Sequence, residues 1–307
     1  MTTARRSLTR LLLVVGVLAA ACGDSSGSSA SDAPLQVVTT TTVLTDFAKV
    51  IGGGRVGVYG VLKPNVDPHD YEPSARDLDS LRSAKVIVKN GVHLEAWFDD
   101  AVAASGAKAI IVDASTGVDL RVADDRTGSA EGDPHIWHDA RNAKQMVGTM
   151  LDAFVTADPV GAPIYEANAN RYSAELDALD FEIKTRIAKL PNKKLVTNHD
   201  AFGYYVDRYG LEFVGSIIPS FETSAEVSAS ELDKLVDEIK AQGVKAVFAE
   251  SALPSKVAKT IAEEARVKVV DGDGALYGDG LGTAKSPGAT YLGMMRHNTA
   301  TIVDSLG

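Results

Sequence analysis

The stretch PIYEANANRYSAELDALDFEIKTRIAKL, Pro163 to Leu190, carries apolar residues at Tyr172, Leu176, Leu179, Ile183, Ile187 and Leu190. Steps of three and four residues put these side chains on one face of a helix, and the outer face is strongly charged. At 1.5 Å per residue the helix would be about 42 Å long, enough to run the length of a two-lobed molecule. On both sides of it, short β-branched runs alternate with amphipathic segments. Strands are expected at Leu35–Thr40, Val56–Leu62, Lys85–Asn90, Ala109–Asp113, Lys194–Asn198, Phe213–Ile218, Lys245–Glu250 and Val267–Asp271. Between two of these, Leu232, Leu235, Val236 and Ile239 share a helical face, with Ser228 and Glu231 as a capping box and Gly243 as the stop. Alternation of this kind predicts an α/β fold of parallel-type sheets covered by helices. The fold class expected is therefore two lobes, 35–157 and 193–307, joined by one long connecting helix within 158–192.

The chain has 307 residues, which at roughly 150 residues per domain suits two lobes. Its 45% hydrophobic and 23% charged residues exclude a largely disordered chain, a coiled coil and a polytopic membrane protein. A net charge of -10 repels phosphate backbones, so no nucleic acid is expected as partner. One cysteine, Cys22, excludes a disulfide scaffold and a Cys-rich zinc module.

Residues 1–21 have the layout of a bacterial secretory signal peptide: Arg5, Arg6 and Arg10, then an apolar run, then Ala19 to Ala21. The run from Leu11 to Ala21 is 11 residues, whereas a membrane span needs about 20. Cys22 follows directly, and its setting resembles the lipobox of bacterial lipoproteins, although Ala19 stands where that pattern carries leucine. The resemblance implies lipidation at Cys22, with 22–34 as lipidated Cys and flexible Gly/Ser-rich tether. The expected location is extracytoplasmic, anchored to the outer face of the cell membrane by that lipid.

Six histidines are present, and three stand at strand-to-helix junctions: His69 in DPHDYEPSARDL, His135 in DPHIWHD and His199 in TNHDAFGYYVDRYG. In open α/β sheets ligands gather at such junctions, outside the carboxyl ends of the strands. Imidazole suits zinc, a zinc site takes four ligands, and Asp279 in the glycine-rich ALYGDGLG is the candidate fourth. Gly278 and Gly280 would let the backbone bring that carboxylate close. Such a quartet leaves no position for a catalytic water. Taken alone, three histidines without HExxH spacing or a cysteine pair fit a metal site and ordinary capping or surface roles about equally. Asp70, Asp139 and Asp200 fit either as partners fixing the imidazole tautomers or as acids at helix N-termini. His138 is expected to face solvent, and His93 and His297 to be structural residues in helical segments.

The motifs VLKPNVDPHDYEPSARDL, NGVHLEAWFDD, DPHIWHDARN, HDAFGYYVDRYGL, VFAESALPSKVAKTIAEEA and ALYGDGLG, followed by YLGMMRHNTATIV, occur in that order. Together, from about Leu35 to the C-terminus, they closely resemble the zinc/manganese substrate-binding lipoproteins of bacterial ABC transporters, also described as adhesin-like lipoproteins. Position by position, the resemblance places the metal ligands on His69, His135, His199 and Asp279. It implies two α/β lobes joined by one helix with the metal between them, and an ABC transporter permease with its cytoplasmic ATPase as partner. With a single rigid connector, capture and release are expected to use small lobe movements and local loop rearrangement around His199 and Asp279. A monomer is expected.

Zinc (Zn2+) is favoured over manganese (Mn2+) as the transported ligand. His199 stands where manganese-specific members commonly carry Glu, and imidazole matches zinc better. Against zinc, the long His-rich loop of many zinc members is replaced here by the short acidic VADDRTGSAEGD. Two other functions compete with this reading. A secreted zinc-dependent hydrolase would need an open coordination position and a general base. A surface adhesin with a structural metal would need an adhesive surface that no motif supplies. No enzymatic activity is expected.

Overall fold

The computed structural model describes residues 33–121 and 132–307. The expected signal peptide, Cys22 and the tether as far as Asp32 lie outside the described residues, as does most of the acidic stretch before His135. All eight expected strands form, with no end shifted by more than two residues. The first half runs β1 (Leu35–Thr39), α1 (Thr42–Gly52), β2 (Val56–Gly60), α2 (Ala75–Ser83), β3 (Val86–Lys89), α3 (Phe98–Ser105) and β4 (Ile110–Asp113). Its strands make one parallel sheet in the order β2-β1-β3-β4. Two helices follow, α4 (Ala140–Ala157) and α5 (Ala162–Ile187). The second half is β5 (Lys194–His199), α6 (Gly203–Tyr209), β6 (Glu212–Ile218), α7 (Ala229–Gln242), β7 (Ala246–Phe248), α8 (Lys256–Ala265), β8 (Lys268–Val270) and α9 (Tyr291–Leu306). Here β5 pairs with β6 and β7 with β8, both parallel, and β5 runs beside β7.

The long helix ends at Ile187, three residues before the apolar stripe does, because Pro191 forbids continuation and the chain leaves through a turn closed by Leu190 N–H on Ile187 C=O. Its stripe is buried throughout. The helix rests on α1 and α4 from the first half and on α6 and α9 from the second. Phe47 of α1 meets Tyr172 of α5 at 6.0 Å and Tyr291 of α9 at 5.0 Å, both edge-on. One hydrophobic cluster thus runs from Leu35 in β1 to Leu306 in α9. The C-terminal segment adds polar stitches to the first half: Thr42 Oγ1 accepts Leu281 N–H at 2.7 Å, and Asp46 accepts Tyr291 N–H at 2.9 Å.

The capping box of α7 forms as expected, with Ser228 accepting Glu231 N–H and Glu231 accepting Ser228 N–H, and Gly243 ends the helix at φ 68°. Among the described residues no helix is long and apolar enough to cross a membrane.

The core makes a direct prediction about stability. Leu179→Ala, at a fully buried position of α5, is expected to cost about 2–5 kcal/mol. Phe181→Ala, on the same helix but 73% exposed, should stay within about 0.5 kcal/mol of the parent. Denaturant unfolding of the two variants checks both.

Candidate metal centre

Each expected ligand sits on a loop leaving the carboxyl end of a parallel strand, or on its last residue. His69 follows β2, His135 follows β4, His199 ends β5 and Asp279 follows β8. These loops converge, and one donor atom from each of His69, His135, His199 and Asp279 lies within 4.8 Å of all the others. All four side chains are buried. Asp279 Oδ1 stands 3.3 Å from His135 Nε2, 3.2 Å from His199 Nε2 and 4.0 Å from His69 Nε2. The two tighter imidazoles are 3.3 Å apart through their Nε2 atoms.

Two buried carboxylates aim these rings. Asp133 Oδ1 accepts both the backbone N–H of His135, at 3.0 Å, and its Nδ1, at 2.8 Å. Glu250 Oε1 does the same for His199, at 2.9 Å each. An imidazole donating from Nδ1 presents Nε2 to the cluster centre, so the partner fixes both tautomer and orientation. Asp133 is in turn held by Arg121, whose Nη1 lies 2.7 Å from Oδ2 and whose Nε lies 2.6 Å from Asp207 in α6. Behind the His135 loop, Asn90 donates to Pro134 C=O at 2.9 Å, and buried Glu95 accepts Asn90 N–H and the Thr40 hydroxyl.

The aspartate arrives on a loop that a side chain would push away. A Cβ on Gly278 would fall 2.0 Å from Glu250 Oε2. Instead, Gly278 C=O accepts from Trp137 Nε1 at 3.2 Å and from His138 Nε2 at 2.9 Å. His138 is therefore buried behind the site, not solvent-facing as expected. Burial, reinforced by the positive field of His135, lowers its pKa to about 3, so it stays neutral and donates. His93 is also corrected: it lies in a turn at φ 59°, not in a helix. His297 is helical and packs on Tyr277. Of the three flanking acids, Asp139 is the N-cap of α4, accepting Arg141 N–H, and Asp70 is exposed. The imidazoles of His135 and His199 are held by Asp133 and Glu250 instead.

The electrostatics call for a cation. Burial opposes charge on every member, yet Asp133 and Asp279 outweigh it at His135 and raise its pKa to about 9. His199 is raised well above its ordinary value, with Asp279 and Glu250 overcoming burial. In Asp279 the histidines overcome burial in the other direction and hold the carboxyl well below its usual range. Neither Asp279 oxygen has a hydrogen-bond partner, and neither does either nitrogen of His69. Orphaned acceptors this deeply buried are costly unless something fills the space between them. Three imidazoles and a carboxylate suit a divalent transition metal.

Residues 37–305 match the family model described as zinc-uptake complex component A, periplasmic. This chain belongs to that family. Its members are substrate-binding components of ABC transporters, not enzymes. The chain is 32% identical to the manganese-binding lipoprotein MntA of Bacillus subtilis, over 98% of this chain and 99% of that one. It is also 32% identical to the high-affinity zinc uptake system protein ZnuA of the same organism, over 94% of each. The solved structure of the periplasmic zinc-binding protein TroA from Treponema pallidum superposes with a TM-score of 0.82 at 31% identity, covering 90% of this chain and 99% of that one.

Sequence reading does not single out Asp133, Glu250 or Arg121. For Asp133 a signal was present: Asp-Pro-His occurs twice, at 67–69 and 133–135, and in both copies the aspartate accepts the histidine N–H. For Glu250 there was none, since it reaches His199 only because β7 lies beside β5.

Two outcomes follow for the centre. Asp133→Asn should weaken metal binding by about 10- to 100-fold in a competitive chelator titration, because the tautomer and aim of His135 are lost. The pH dependence has a definite sign. A histidine raised from 6.5 to about 9 contributes stability to the metal-free protein that is fully present below about pH 6.5 and disappears as pH rises through about 9. Metal binding displaces that proton, so it strengthens over the same window. Thermal melts should show the metal-free protein losing stability from pH 6.5 to 9 while the increment conferred by metal grows.

Proposed function

We propose that this protein is the extracytoplasmic receptor of an ABC transporter for a divalent transition metal, binding the ion at His69, His135, His199 and Asp279 and delivering it to the membrane permease. The observation that carries the reading is the buried quartet with its unpartnered Asp279 oxygens. Halves 35–157 and 193–307 would act as lobes about α5, and Cys22 would anchor the chain to the membrane through lipid. The relatives named as lipoproteins support that anchoring.

Zinc is the favoured cargo. Bonds of about 2.0–2.1 Å at tetrahedral angles separate zinc ligands by roughly 3.3 Å. The three donor separations among His135, His199 and Asp279 are 3.2–3.3 Å. Three nitrogens among four donors also favour zinc over manganese, which takes more oxygens and more ligands. Relatives named for either metal are equally identical to this chain, so the preference rests on the donor set.

Elemental analysis and competitive titration of residues 23–307, beside His199→Ala, test the reading. About one zinc per chain, displaced poorly by manganese and lost in the variant, is expected. Tighter manganese binding would change the cargo. No metal after reloading would refute the receptor.

A further inference from the structure

The two Asp-Pro-His segments are alike in sequence and differ in how their histidines are held. Asp133 spends one oxygen on the backbone N–H and ring Nδ1 of His135 and the other on Arg121. In the first segment Asp67 Oδ1 accepts only the backbone N–H of His69, at 2.9 Å, while Oδ2 accepts the Thr223 hydroxyl at 2.6 Å. The ring of His69 is left to a residue of the other half: Glu222 Oε2 lies 3.2 Å from Nδ1, in ion-pair range but outside hydrogen-bond geometry. Glu222 is 54% exposed in its side chain, whereas the partners of the other two ligand histidines are 0% and 1%. Its loop also reaches the remaining histidine segments. Phe221 lies edge-on to the His135 ring at 6.2 Å, and Ser220 C=O accepts the N–H of Asp200, next to His199, at 3.2 Å.

A single turn, Ser220–Thr223, therefore contacts the segments of all three histidine ligands and carries the solvent-facing carboxylate beside the least constrained of them. We propose that Glu222 is the positioning residue for His69 and that the turn carrying it is the gate through which metal enters and leaves, latched by Thr223 on Asp67. This rests on the metal-receptor reading above. When the latch opens, His69 loses its partner and lets go first. His135 and His199 keep their buried carboxylates and hold the ion until it departs.

The test compares Glu222→Ala, Glu222→Gln and Thr223→Val with the parent protein. It measures zinc uptake, zinc removal by excess chelator, thermal stability, and amide hydrogen exchange of 220–223 without metal. Glu222→Ala should speed zinc loss by about tenfold or more with unchanged thermal stability. Glu222→Gln, whose amide oxygen can stand at the same place beside Nδ1, should recover most of the parent rate. Thr223→Val should raise exchange in the turn and accelerate both uptake and release. Parent-like zinc kinetics in Glu222→Ala and Thr223→Val would overturn the proposal. If the parent binds no zinc, the receptor reading fails, and exchange in the metal-free turn still decides the latch: no change in Thr223→Val refutes it.

Discussion

A carboxylate with nothing to bond to is the constraint on which the rest of this structure depends. Asp279 is buried with both oxygens unpartnered, and three imidazole rings are turned toward it. Removing a carboxylate from water without compensation is among the most costly steps a folded chain can take. Here the compensation comes from charge carried on the rings, either as protons or as a bound cation. The same buried carboxylate raises the pKa of His135 and His199, and a divalent cation meeting all four donors would meet the same demand for positive charge.

The surrounding architecture serves to keep those donors from relaxing toward one another. Asp133 and Glu250 clamp backbone and ring of their histidines with single oxygens, so each ring is tied to its own loop. Arg121 carries the clamp on His135 across to α6, and Gly278 lets the aspartate loop pass close over Glu250. Burial among Trp137, Phe202 and the Gly278 carbonyl makes His138 a neutral donor beside His135, whose pKa is raised. Two histidines three residues apart thus have opposite electrostatic roles, decided by which carboxylates each can reach.

Much of this was legible in the sequence, because the signals were local. Strand and helix periodicity marks every strand, and the position of a histidine after a β-branched run marks its place at a carboxyl edge. The stripe of α5 marks its buried face, and the Ser228–Glu231 box marks the start of α7. What escaped was non-local or depended on packing. Glu250 is tied to His199 by the adjacency of β5 and β7, which no periodicity encodes. His138 has the same neighbours in sequence whether it faces water or Gly278. His93 sits in a helix-like composition but adopts positive φ after Gly91 and Val92. The packing of α9 on α1 joins segments such as Asp46 and Tyr291, 245 residues apart, and only the assembled core reveals it.

That last packing places a condition on the life history of the chain. Asp279 and the helix that anchors its loop stand in the final tenth of the sequence, while the three imidazoles and the carboxylates that aim two of them come earlier. A chain still emerging, or one cut short before Asp279, has the three rings without the buried carboxylate they face and without α9, which packs on α1 and α5. The four side chains of the cluster are therefore assembled only once the last tenth of the chain has been made.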